Sequence, residues 1–164
     1  MRVDNSVNTS AISLSGHDEE NLRQAIELLF FAYRDFTGEA DAVLAKFGFG
    51  RAHHRAIYFI SRNPGISVGD LLEILKITKQ SLSRVLNQLI AEGYVSQKTD
   101  RRDRRRRLLK VSQKGMDLER QLTVRQCLRI TRAFEIAGFD SIPGFHSILR
   151  AMIDPNDRHR AGKR

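Results

Sequence analysis

The stretch that decides the fold is Ile66–Leu89, ISVGDLLEILKITKQSLSRVLNQL. Ser67 followed by Asp70 has the Ser-x-x-Asp form of a capping box, with Asp where Glu is usual. The helix it opens is short and carries Val68, Leu71, Leu72 and Leu75. Lys76-Ile77-Thr78 interrupts the pattern, and Thr78 can cap the helix that follows. That second helix puts Leu82, Val85, Leu86, Leu89 and Ile90 on its buried side and turns Lys79, Gln80, Ser83, Arg84, Asn87 and Gln88 outward, before Gly93 ends it.

Downstream, Tyr94–Thr99 (YVSQKT) reads as a strand and Arg107–Val111 (RLLKV) as its partner, so Asp100–Arg106 forms the tip of a long hairpin. Ser112 caps a helix expected over Gln113–Ala137, Gly138 breaks it, and a last helix carries Ile142, Phe145, Leu149 and Met152. Upstream, Leu22, Ile26, Leu29, Tyr33, Phe36, Ala40, Val43 and Phe47 alternate at spacings of three and four, the stripe of one long helix. A further helix spans Arg51–Arg62, stopped by Asn63-Pro64-Gly65. Residues 1–16 have no sustained period and read as a mobile arm, and residues 154–164 as a charged tail. The fold class is therefore mainly α with a small β-hairpin: a winged helix-turn-helix flanked by long helices.

Charge sharpens the reading. The net charge is +9, and residues 66–114 hold 12 Lys/Arg against 5 Asp/Glu, whereas residues 1–65 hold 7 against 8. A basic excess concentrated in this way points to a polyanion, nucleic acid before a membrane surface. No apolar run is long enough for a membrane helix, and Met1–Ser15 lacks the apolar stretch of a signal peptide, which fits a cytoplasmic, nucleoid-associated protein. Gly-rich phosphate loops, Gly-x-Ser-x-Gly and metal-ligand spacings are missing from the sequence, so neither an enzyme nor a cofactor or metal site is expected.

The outward face of the second helix offers hydrogen-bond donors and acceptors rather than a salt-bridged mixture. Arg pairs bidentately with guanine and Asn or Gln with adenine, while Thr78 and Lys79 at the helix start suit phosphate oxygens. The alternative is a solvated polar face on an ordinary core helix. At the hairpin tip, DRRDRRRR (Asp100–Arg107) crowds guanidinium groups whose repulsion calls for an anion, phosphate or a narrow minor groove. Asp100 and Asp103 read as braces that hold individual Arg side chains through bidentate pairs. The alternative here is a disordered basic loop that adheres to any polyanion.

At Asp103–Gly115, DRRRRLLKVSQKG, the chain resembles the wing signature of the MarR family of bacterial transcriptional regulators, with Val111 and Ser112 replacing the usual Leu and Thr. Ser83–Leu89 and Glu92-Gly93-Tyr94-Val95 resemble that family's recognition helix and its exit into the wing. The resemblance implies a homodimer, with residues 17–50 and 113–153 as dimerisation helices and 51–112 as the DNA-binding region. The excess of apolar positions in those helices agrees with this independently. It further implies a double-stranded DNA operator that is pseudo-palindromic, wing arginines Arg102, Arg104 and Arg105 in the minor groove, and repression released by a small-molecule effector. The layout places an effector pocket near Phe31, Phe47, His53, Ile57 and Phe59.

Cys127 stands alone, so an internal disulfide is excluded. A buried, inert thiol at the dimer interface is one reading, and a redox sensor with its pKa lowered by Arg125 and Arg129 is the other. Two further readings of the whole chain stay open: a sequence-nonspecific nucleic-acid coat, and a partner-binding protein that does not read DNA.

Overall fold

The computed structural model describes residues 16–162. The expected arm over 1–16 lies almost wholly outside them. The elements are α1 (Gly16–Ala45), α2 (Arg51–Arg62), α3 (Val68–Leu75), α4 (Lys79–Ala91), β1 (Val95–Thr99), β2 (Arg107–Val111), α5 (Gln113–Ala137) and α6 (Ile142–Met152). Single 3-10 turns stand at Phe139–Ser141 and Arg158–Arg160. The chain forms two compact units, Met1–Thr37 and Gly38–Arg164.

In the first unit, α1 exposes its apolar stripe. Leu22, Ile26, Leu29, Phe30, Phe31 and Tyr33 are all between 46% and 67% exposed. Arg34 lies 4.8 Å above the Phe31 ring, and Arg23 pairs with Glu19 one turn back at 2.7 Å.

The second unit holds the core. The end of α1 contributes Ala40 and Leu44, α2 Ala56, Ile57 and Ile60, α3 Leu71 and Leu75, and α4 Leu82, Val85, Leu86 and Leu89. Tyr94, Val95, Leu109, Val111, Leu118 and Leu122 close it from the hairpin and α5. The expected stripe ran to Phe47, but α1 stops at Ala45. Gly48 N–H reaches Ala45 O and Phe49 N–H reaches Leu44 O, the paired bonds of a Schellman end, so Phe49 enters the core and Phe47 stays outside. The same device ends α4. Gly93 takes a φ of 78°, which an L side chain rarely adopts, and Tyr94 N–H bonds Leu89 O at 2.8 Å.

The hairpin is antiparallel with Val95 opposite Val111 and Thr99 opposite Arg107. Its free edge is not left open. Gly65 N–H bonds Leu109 O and Leu109 N–H bonds Ile66 O, each at 2.9 Å, so the segment after α2 pairs with β2 and pins the wing to the start of α3. Ser112 starts α5 by accepting from Gly115 N–H at 3.1 Å while its hydroxyl lies 2.7 Å from Gly93 O and 3.1 Å from Tyr94 O. Gly115 packs so tightly here that a Cβ would sit 2.3 Å from Tyr94 O and 2.5 Å from Val111 Cγ1.

Candidate nucleic-acid interface

Local chemistry sets the helix pair. Ser67 Oγ accepts from Asp70 N–H at 3.1 Å and donates to Asp70 Oδ2 at 2.7 Å. The shorter Asp side chain thus grips the capping hydroxyl, where the Glu of a full capping box would return to the backbone. Lys76 closes α3 in the left-handed region, and Thr78 caps α4 by accepting from Ser81 N–H at 3.1 Å. With Leu82, Val85, Leu86 and Leu89 buried, the opposite face of α4 is directed away from the core.

On that face Thr78, Lys79, Gln80, Ser83, Arg84 and Asn87 are all exposed. Gln88 is placed differently. Its Oε1 lies 2.9 Å from His53 Nε2 and its Nε2 donates to Glu92 Oε1 at 2.9 Å. Because His53 Nδ1 accepts from Gly50 N–H at 3.1 Å, the ring carries its proton on Nε2 and donates it to Gln88. Gln88 therefore ties α4 to α2, and its amide is engaged inside the unit.

The wing tip corrects one expectation. Asp100 Oδ1 accepts from Arg102 N–H and Asp103 Oδ1 from Arg105 N–H, each at 2.9 Å. The carboxylates brace the backbone in two Asx turns rather than holding guanidinium groups, because an Asp side chain reaches the amide two residues on without straining. Arg101, Arg102, Arg104 and Arg105 are exposed and enter none of the ion pairs formed among the described residues. Arg106 pairs with Asp70 at 3.2 Å, and Arg107 hydrogen-bonds Thr99 across the hairpin. The Ser67 hydroxyl, and after it Arg106, holds the Asp70 carboxyl below its ordinary value. Nothing in the sequence marks the Asp70–Arg106 pair, since its partners lie 36 residues apart.

Between the start of α3, the outer face of α4 and the wing runs an open groove lined by Lys79, Ser83, Asn87, Gln97, Arg105 and Arg107. Gln97, on β1, was not among the expected site residues. Alternation in YVSQKT puts Gln97 on the same face as Val95, so no local signal marked it, and only the register, which sets Gln97 opposite Leu109, together with the placing of α4 brings it to the groove.

The expected effector residues stand in two units and differ in exposure. Phe31 belongs to the first unit and is exposed there. Phe47 stacks on Phe49 and Phe49 on His53, with ring centroids 6.4 and 4.8 Å apart. Ile57 is fully buried, because positions 56, 57 and 60 form the inner face of α2. Phe59 faces a cavity shared with Tyr58, Arg62 and His159. Cys127 is exposed on α5, next to an Arg129 that pairs with Glu39 at 2.5 Å.

A capped helix pair, an exposed polar face on its second helix and an arginine-tipped hairpin define a winged helix-turn-helix protein. Residues 47–106 match the MarR family. Over 137 residues the chain is 48% identical to the HTH-type transcriptional regulator PetP of Rhodobacter capsulatus, covering 84% of this chain and 82% of that protein. It belongs to the MarR family, transcriptional regulators that bind DNA. Two solved structures share the fold. The MarR family transcription regulator SP03579 gives a TM-score of 0.72 at 17% identity, covering 83% of this chain and 90% of that one. The PcaV transcriptional regulator of Streptomyces coelicolor, solved with its natural ligand, gives 0.62 at 18% identity, covering 89% and 98%. Among the described residues no helix is long and apolar enough to cross a membrane.

Proposed function

We propose that the protein is a homodimeric, sequence-specific DNA-binding regulator, a repressor released by a small molecule, with α4 in the major groove and the wing in the minor groove of a pseudo-palindromic operator. The observation that carries this reading is the pairing of an exposed, uncharged-rich polar face on α4 with wing guanidinium groups, those of Arg102, Arg104 and Arg105, that have no ion-pair partners among the described residues. Gln80, Arg84 and Asn87 suit base edges, Thr78, Lys79 and Ser83 suit phosphates, and Arg102, Arg104 and Arg105 suit a narrow minor groove. A twofold dimer would set its two α4 helices about 34–36 Å apart, one turn of DNA.

Dimerisation is supported separately in each unit. The α1 stripe is uncovered in the first, and Leu128, Ile136, Phe145, Ile148 and Met152 stand exposed in the second. Large exposed apolar faces of this kind favour a partner surface. Release by a ligand is supported by the ligand complex of the similarly folded PcaV regulator, and requires only that a ligand prefer one of two states of the dimer.

Competition titrations of variants test the division of labour. Arg84→Ala should relax preference at one base pair by about 1–3 kcal/mol. Arg104→Ala with Arg105→Ala should instead weaken binding to all sequences and flatten its salt dependence. If both variants lose affinity alike for every sequence, the protein is a nonspecific coat and the assignment of α4 fails.

A further inference from the structure

The segment after α6 does not behave as a solvated tail. Asp157 meets Lys76 Nζ at 2.5 Å, and Arg160 reaches Glu73 on α3 at 2.7 Å. The segment is also braced internally. Arg158 donates to Ile153 O at 3.1 Å and to Ala151 O at 3.2 Å, and Arg160 Nε lies 3.6 Å from Asp157. Asp157 and Arg160 retain 27% and 29% side-chain exposure, against 61% and 66% for Lys76 and Glu73. The more buried ends of both pairs therefore belong to this segment.

The place they grip matters. Lys76 is the first of the three residues between α3 and α4, and with a φ of 48° it is the one non-glycine residue of positive φ among the described residues. The backbone there sets the angle at which α4 leaves α3. Its N–H is held by Leu72 O, while its side chain is held by Asp157. Each partner also keeps the other ionised, since the pair raises the Lys76 pKa and lowers that of Asp157.

We infer that residues 154–162 form a clamp on the helix-turn-helix, with Asp157 and Arg160 as positioning residues that hold α3 and the Lys76 turn in the geometry presenting α4 to DNA. The clamp rests on the reading of α4 as the DNA-contacting helix. It also links the segment after α6 to α3 and the Lys76 turn through charge pairs.

The test is a charge swap in the full chain, read by amide exchange in α3 and by DNA affinity. Arg160→Glu should speed exchange of the α3 amides and weaken DNA binding, each on the order of fivefold for a partly exposed ion-pair network. Adding Glu73→Arg, which restores the starting net charge and reverses the pair, should recover most of both losses. Unchanged α3 exchange in Arg160→Glu would overturn the clamp. So would a DNA defect that the swap leaves in place, since that would be a net-charge effect. If α3 exchange follows the swap while Arg84→Ala leaves DNA binding untouched, the hold on α3 stands and it is the assignment of α4 that falls.

Discussion

The first part of α5, Gln113–Leu122, and the remainder, Thr123–Ala137, belong to one unbroken helix and have opposite surroundings. In the first part Gly115, Leu118 and Leu122 are buried, and Ser112 ties the helix start to the backbone at Gly93 and Tyr94. In the second, Val124, Leu128, Ile130 and Ile136 are exposed, at 47%, 53%, 37% and 89%. Both parts place apolar residues at helical spacing. Periodicity thus reports which side of a helix is apolar, and says nothing of whether the same chain covers it.

The strongest way to break the comparison is at Gly115. A methyl group there would enter the space of Tyr94 O, so Gly115→Ala should lower the stability of the winged unit by about 3 kcal/mol, read as a drop in the urea midpoint. A variant as stable as the parent would mean that close approach does not fix the first part of α5.

The second part should respond in a different observable. Leu128→Asp should leave that midpoint nearly unchanged and weaken self-association by about 2 kcal/mol, measured by sedimentation across concentrations. An unaltered association constant would remove this face from the interface.

The smallest effect sharpens the buried side through pH. Burial lowers the His54 pKa below 6.5, opposed by Glu119 on the first part of α5 and by Asp41. Above pH 6.5 the ring is neutral whether folded or not, and stability is full. Below it the unfolded chain takes up a proton that the folded chain resists, so stability falls until the folded pKa is reached. Denaturation curves above and below pH 6.5 should show this decline, and His54→Gln should flatten it.

Much of the fold was legible because its signals are local. The caps at Ser67, Thr78 and Ser112 each act on an amide three residues on, and the bounds of α2, β2 and α5 follow from periodicity and the glycine and proline stops. The polar face of α4 was legible for the same reason, since burying Leu82, Val85 and Leu89 directs Gln80, Arg84 and Asn87 outward. Two local features differ from what the local pattern implies. Asp100 and Asp103 are turn-formers before they are counter-ions, and Phe47 lies past a helix end set by the glycine after it.

The remainder joins residues far apart. Gln88 carries the residue type of a base reader, yet His53, 35 positions away, engages it. The wing is anchored by Asp70 and by the Gly65–Ile66 pairing on β2, and the segment after α6 grips α3 across 87 residues. The sequence by itself determined the elements, their caps and the separation of an exposed polar helix face from an arginine-rich hairpin tip, because these depend on neighbours within a turn or two. Only the tertiary structure decided which polar side chains are spent internally and which remain exposed. That choice depends on distances between elements, and no spacing along the chain encodes it.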